Sequence, residues 1–162
     1  MAFALALPVT ASLAVTARQT PPDPAGKVMT EAEYVKAMKE LQSLDKTLRS
    51  NIEEIARADL ERMLLFDATM TARKDAARME EILAGVVTFW EVRKIPDAVA
   101  LSKDALQESE NVSRALAVID LQSPSAATLA QERLGKICAS CHTAHRERLA
   151  DGTYRIRFIN TP

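Results

Sequence analysis

Cysteine, histidine and aromatic residues are scarce in this sequence of 162 residues, which contains two cysteines, two histidines and only 4% aromatic side chains. Segments that alternate with a period of two are almost absent, so a sheet-rich fold is excluded. No charge of one sign dominates, with 21 basic against 22 acidic residues, and nothing in this balance indicates a nucleic-acid partner. The length suits one domain with a substantial core.

Both cysteines and one histidine fall in a single segment, Cys138-Ala139-Ser140-Cys141-His142. This C-x-x-C-H spacing is the attachment pattern of c-type haem, in which each thiol forms a thioether with one haem vinyl group. On a helix these three positions share one face, so all three side chains can meet one porphyrin. We therefore predict covalently attached haem c, whose large apolar body would also help to fill a core with few aromatic rings.

Two other chemistries use a C-x-x-C pair and remain alternatives. A zinc site would need Cys138, Cys141, His142 and His145, yet structural zinc sites usually draw their ligands from two separated segments. A thioredoxin-like redox pair would need a β-α-β context, which the sequence does not show. The haem interpretation is favoured over both.

The N-terminus has the pattern of an export signal. Residues 1–17 are almost wholly apolar and end in small side chains, and we predict a signal peptide there, although no Lys or Arg precedes Arg18. Residues 18–29 contain three prolines and are predicted to form an extended linker. Because bacteria attach c-type haem outside the cytoplasmic membrane, we expect a periplasmic protein.

Residues 30–149 are predicted to form four consecutive helices. Thr30 and Glu33 make a capping box for the first helix, which we expect to end near 57–59. Pro96 suits the start of the third helix, and Ser123 with Pro124 begins the fourth. We expect the fourth helix to end at 151–152 and treat residues 150–162 as a C-terminal tail, even though 154–158 alternate with a period of two.

Apolar residues recur at steps of three and four in these segments, which is the spacing of amphipathic helices. In the second helix they are Leu65, Ala68, Ala72, Ala76, Met79, Leu83, Val86 and Trp90, and in the third they are Ala98, Leu101, Ala105, Val112, Leu116 and Ile119. Four such helices with short connections predict an all-α fold, an antiparallel four-helix bundle with haem bound within it.

Residues 30–149 resemble the cytochrome c-prime family, the class II c-type cytochromes, which carry the haem motif on the last helix of a four-helix bundle. The segment 135–142 resembles the family's GK-x-C-x-x-CH pattern, and Met38 with Leu41 resembles its M-x-x-L pattern in the first helix. Arg146 matches the family's basic residue after the histidine. His145 is a departure, because the family often has Phe or Tyr at that position.

The resemblance implies a proximal iron ligand, His142, and a candidate distal ligand, Met38. If the Met38 thioether binds iron, the closed six-coordinate site describes a carrier of single electrons between redox partner proteins. If Met38 only packs over the iron, the open position would bind a small gas such as NO or CO. On apolar spacing alone, Met38 is ordinary core packing.

The resemblance also bears on other residues and on partners. It places Arg146 near a haem propionate or the proximal imidazole, with a solvated helix face as the plain alternative. We predict that His145 lies at the haem edge or in solvent. Family members often dimerise, so a homodimer is an expected alternative to a monomer. With no histidine outside residues 142–145 to act as a distal acid or base, we expect no enzymatic activity.

Overall fold

A computed structural model describes residues 28–57, 62–117 and 123–159. These residues form mostly helix, and the four helices are α1 (Glu31–Arg57), α2 (Arg62–Arg93), α3 (Pro96–Ala117) and α4 (Ser123–His145). The all-α prediction is confirmed at this level. The predicted signal peptide and most of the predicted linker lie outside the described residues. Among the described residues, no helix is both long enough and apolar enough to cross a membrane.

The start of α1 follows the predicted capping box. The Thr30 backbone N–H donates to Glu33 Oε2 at 2.8 Å, and the Glu33 N–H donates to Thr30 Oγ1 at 3.2 Å. Each bond satisfies an amide that the helix itself leaves unpaired. The local sequence therefore sets where α1 begins, and with it the position of every side chain on its inner face.

The end of α2 is a Schellman motif with a lysine in the left-handed position. Lys94 has a φ of 55°, its N–H donates to the Glu91 carbonyl at 3.1 Å, and the Ile95 N–H donates to the Trp90 carbonyl at 3.4 Å. Ile95 packs in the same apolar cluster as Trp90, which is the contact that usually accompanies this motif. Pro96 then opens α3 as predicted.

Replacing Lys94 with glycine is expected to stabilise the protein. A lysine in the left-handed region has a steric cost of about 1 kcal/mol that glycine avoids, while the more flexible unfolded glycine chain offsets part of the gain. We expect the free energy of unfolding in urea to rise by about 0.5 kcal/mol. The matched control is Lys74→Gly in the helical part of α2, which is expected to lower it by about 1 kcal/mol. Destabilisation by both variants would contradict the prediction.

Buried side chains form two apolar clusters. The larger contains apolar residues of all four helices, including four of the residues predicted for the α2 stripe, Ala72, Ala76, Met79 and Leu83. The smaller contains the aromatic residues Tyr34, Phe89 and Trp90, together with Ile82, Val86, Ile95 and Ala98. The few aromatic rings are therefore concentrated in one part of the interior.

The chain after α4 departs from the prediction. Helix α4 ends at His145 rather than at 151–152, and an antiparallel hairpin follows, with β1 (Arg146–Arg148) paired to β2 (Tyr154–Ile156). Asp151 and Gly152, expected to stop a helix, instead form the hairpin turn, where Gly152 has a φ of 82°. The alternating segment at 154–158 was the signal for this strand.

The hairpin packs on the aromatic cluster and is not a separate tail. Ile156 contacts the cluster, and the Phe158 ring centroid lies 5.8 Å from that of Trp90 and 6.3 Å from that of Phe89. The Arg157 N–H donates to the His145 carbonyl at 2.8 Å. Burial of apolar side chains against α2 therefore favours the hairpin over another turn of helix.

Candidate functional site

One small pocket brings together residues from the first and last helices. Met38 on α1 and Cys138, Cys141 and His142 on α4 all line it, although Met38 and Cys138 are 100 residues apart in sequence. The rest of the wall is mostly apolar and comes from α1, α2, α3 and α4: Tyr34, Leu41, Leu83, Val86, Leu101, Ser102, Ala105 and Ile137. Four of the five predicted site residues thus meet in one place.

The helical spacing of the C-x-x-C-H segment places its three side chains on the pocket side of α4. Cys138 and Cys141 are half-buried and are not joined by a disulfide, so both thiols are free. His142 is more exposed and lies at the mouth of the pocket. Arg146, the fifth predicted residue, begins β1, and its guanidinium carbon lies 3.4 Å from the centroid of the Tyr154 ring. Arg146 therefore faces the hairpin.

Tyr34 was not among the predicted site residues. It lies one helical turn before Met38 on α1, lines the same pocket and is only 7% exposed. Its ring stacks on Phe89 with centroids 4.2 Å apart. Burial raises the pKa of the Tyr34 phenol above its ordinary value, so the hydroxyl keeps its proton at neutral pH. The i, i+4 spacing from Met38 is the sequence signal that could have identified it.

The electrostatics of the pocket keep its potential ligands uncharged. Burial raises the pKa of the Cys138 and Cys141 thiols to about 11 each. Partial burial, together with the positive charge of Arg146, lowers the pKa of His142. Neutral imidazole is the form that can bind a metal. The potential metal ligands at the pocket are therefore two neutral thiols, a neutral imidazole and the Met38 thioether.

The raised thiol pKa values predict slow alkylation of the haem-free protein. Because only the thiolate reacts, iodoacetamide at pH 8 should modify Cys138 and Cys141 about 100-fold more slowly than an ordinary cysteine. The rate should rise about tenfold for each pH unit up to about 11. Mass spectrometry of quenched samples measures it, with protein unfolded in urea as the control. Folded and unfolded protein reacting at similar rates at pH 8 would contradict the prediction.

His145 lies apart from this pocket. It is only 3% exposed, and its Nε2 lies 3.2 Å from Asp97 Oδ2 at the start of α3. Its Nδ1 lies 3.3 Å from the Arg157 carbonyl oxygen, and its ring centroid is 5.1 Å from that of Trp90. The expectation of a solvent position for His145 is wrong, because the hairpin, which was predicted to be a tail, packs over it.

The position of His145 also bears on the zinc alternative. That alternative needs both histidines and both cysteines around one ion, whereas the His145 ring lies outside the pocket, close to Asp97 and to the Arg157 carbonyl. Among the described residues, no group of three or more His, Cys, Asp or Glu side chains is placed to hold a metal ion.

The chemistry of the donor set suits haem, but the pocket is smaller than a porphyrin. Its volume is about 40 Å³, enough for only a few water molecules. Accepting a porphyrin between Met38 and Cys138 therefore requires this space to widen. Leu41 and Tyr34 on α1 are among the side chains that line it.

Comparisons of this chain with protein-family models, with curated proteins and with solved structures found no match.

Proposed function

We propose that this chain is a monohaem c-type cytochrome that carries single electrons between redox partner proteins. It would be a class II cytochrome of the c-prime type, an antiparallel four-helix bundle with haem c within it, acting in the periplasm after export. The observation that carries this proposal is the meeting of the C-x-x-C-H segment of α4 with Met38 of α1 in one apolar pocket. The resemblance of residues 30–149 to the family and the apolar segment 1–17 add to it.

Several contacts support the antiparallel arrangement. His145 at the end of α4 lies 3.2 Å from Asp97 at the start of α3. Arg73, in the first half of α2, donates to the Leu116 and Ala117 carbonyls at the end of α3, both at 2.7 Å. Each contact joins an early part of one helix to the end of its neighbour, as in an up-down bundle.

Each pocket residue has a distinct role in this proposal. Cys138 and Cys141 would hold the haem by thioether bonds, and His142 would give its neutral imidazole to the iron from the α4 side. Met38 is the candidate ligand from the α1 side. Haem held there supplies a one-electron couple between Fe(III) and Fe(II). The apolar walls from α2 and α3 would exclude water from it, which favours electron transfer over proton chemistry.

Absorption spectra of the purified protein in its oxidised, reduced and carbon monoxide-treated forms test this proposal. We expect the spectrum of a c-type haem, with no rapid change on adding carbon monoxide to the reduced protein. Rapid binding of carbon monoxide would instead support the five-coordinate alternative, in which the protein binds small gases. A colourless protein from a host that attaches c-type haem to other proteins would overturn both.

Replacing Met38 with alanine tests the distal ligand. The oxidised protein should lose its weak far-red band from sulfur-to-iron charge transfer. Its reduction potential should fall on the order of 0.1 V, a fraction of the range that axial ligands span. Met70→Ala is the matched control, since Met70 is 47% exposed on α2 and does not line the pocket. A wild-type spectrum lacking the far-red band would show that Met38 only packs over the iron.

A further inference from the structure

The C-terminal hairpin combines positive charge with exposed aromatic rings. Four of the residues from 146 to 159 are arginines, and two, Glu147 and Asp151, are acidic. Tyr154, Phe158 and Ile159 are 39–50% exposed in the same segment. Arginine and aromatic side chains are enriched at protein–protein interfaces, where they supply much of the binding energy.

Part of this positive charge has no ion-pair partner among the described residues. Glu147 is paired with Arg155 at 2.8 Å, and the acidic groups on neighbouring helices are engaged elsewhere. Asp97 faces His145 at 3.2 Å, and Glu91 pairs with Lys103 at 2.8 Å. In the part of the chain that the structure describes, Arg148 and Arg157 form no ion pair, although the charge of Arg157 helps the hydrogen bond from Arg155 to lower the pKa of Glu147. Their charge is therefore available to an acidic surface outside the molecule.

The hairpin also lies close to the pocket. Arg146, the first residue of β1, follows His142 by only four residues. On the inner side, Phe158 contacts Trp90, whose ring centroid is 5.6 Å from that of Tyr34 in the pocket wall. A protein bound to the hairpin would therefore sit within a few side chains of the C-x-x-C-H segment.

We propose that the C-terminal hairpin, residues 146–159, is the docking surface for an electron-transfer partner protein that presents an acidic face. This rests on the proposed cytochrome function. The partner accepts one electron from the reduced protein or donates one to the oxidised protein, and no bond or proton is transferred. Opposite charge raises the association rate, and this effect weakens with salt. The exposed rings give the contact its apolar part.

A charge-reversal experiment on the haem-loaded protein tests this proposal with small one-electron oxidants as probes. The variant Arg148→Glu/Arg157→Glu changes the formal net charge from −1 to −5. The control Lys74→Glu/Arg114→Glu changes it equally, but near the Arg73 contact with the end of α3, at the opposite end of the bundle. Stopped-flow absorbance follows oxidation of the reduced proteins by the anion hexacyanoferrate(III) and by the cation tris(phenanthroline)cobalt(III).

At an ionic strength of about 0.01 M, the hairpin variant should react with hexacyanoferrate(III) about tenfold more slowly than wild type. It should react faster with the cobalt cation, and both effects should shrink below about twofold at 1 M salt. The control should be slowed less than the hairpin variant, and at about 0.1 M salt, where the Debye length is about 10 Å, it should stay within about twofold of wild type with either reagent. Arg148→Lys/Arg157→Lys should keep the wild-type rates, because it preserves the charge.

Three results for the oxidation by hexacyanoferrate(III) would contradict the proposed docking surface. The hairpin variant and the control could be slowed equally, the lysine variant could be slowed, or the hairpin variant could react as fast as wild type. Binding of the wild-type protein to phosphatidylglycerol vesicles at 0.15 M salt, lost in the hairpin variant, would assign the surface to a membrane instead. Failure of the proposed cytochrome function can be distinguished from failure of the docking surface. A protein without haem would give no absorbance change on oxidation, in wild type or in any variant.

Discussion

The double variant Cys138→Ala/Cys141→Ala is expected to lose all covalently bound haem. The reason is chemical, because these thiols are the only cysteines in the chain and nothing else on α4 can form a thioether with a vinyl group. Each single variant should keep at most one bond, so its haem should be poorly retained or its maturation should fail. We expect the double variant to leave no haem on the polypeptide after extraction with acidic organic solvent.

Haem staining of a denaturing gel and the pyridine haemochrome spectrum measure this loss. Ser140→Ala is the matched control, because Ser140 lies between the two cysteines, is exposed, and donates only to the Lys136 carbonyl at 3.1 Å. The control should retain wild-type covalent haem. If both single variants retained as much covalent haem as wild type, Cys138 and Cys141 would not be the attachment sites, and the proposed function would be contradicted.

Replacing Trp90 with alanine is expected to lower the free energy of unfolding more than any other substitution proposed for this protein. Trp90 is 0% exposed and contacts Phe89, with ring centroids 5.1 Å apart, as well as Tyr34, His145 and Phe158. Removing a fully buried indole loses its burial energy and leaves a cavity, which together cost about 3–5 kcal/mol. The loss should also weaken the attachment of the hairpin, because Trp90 is the ring that Phe158 and His145 both touch.

Urea unfolding of the haem-free protein, followed by circular dichroism, measures this change in the free energy of unfolding. Phe66→Ala is the control, since Phe66 lies on the same helix but is 61% exposed; its expected change is below about 0.5 kcal/mol. Limited trypsin digestion adds a local readout, because the arginines of a loosened hairpin should be cleaved sooner than those of wild type. A loss below about 1.5 kcal/mol in Trp90→Ala would contradict the role of this residue.

Much of the helical architecture could be predicted because it depends on neighbouring residues. The capping box at Thr30 and Glu33 and the start of α3 at Pro96 are where the sequence analysis placed them. The apolar stripe of α2 from Ala68 to Trp90 is buried. Capping and periodicity act over one or two turns, so a local pattern suffices to read them.

The predictions that were wrong concern segments in which contacts with distant residues outweigh the local sequence pattern. The segment after His145 was predicted to continue the helix, yet it forms a strand, because Phe158 packs on Phe89 and Trp90 of α2 and Ile156 packs against the same aromatic cluster. The same change buries His145. No local rule compares the energy of one more helical turn with that of packing on a surface about 70 residues earlier in the chain.

The amino-acid sequence by itself determined four helices, their caps and the C-x-x-C-H segment, since each depends on spacing within a few residues. Only the tertiary structure decided that Met38 and Tyr34 of α1 share a pocket with Cys138, Cys141 and His142. It also decided that the C-terminal residues fold back as a basic hairpin beside that pocket. The physical reason is that burial of apolar surface depends on which faces meet, and that is a property of the whole chain.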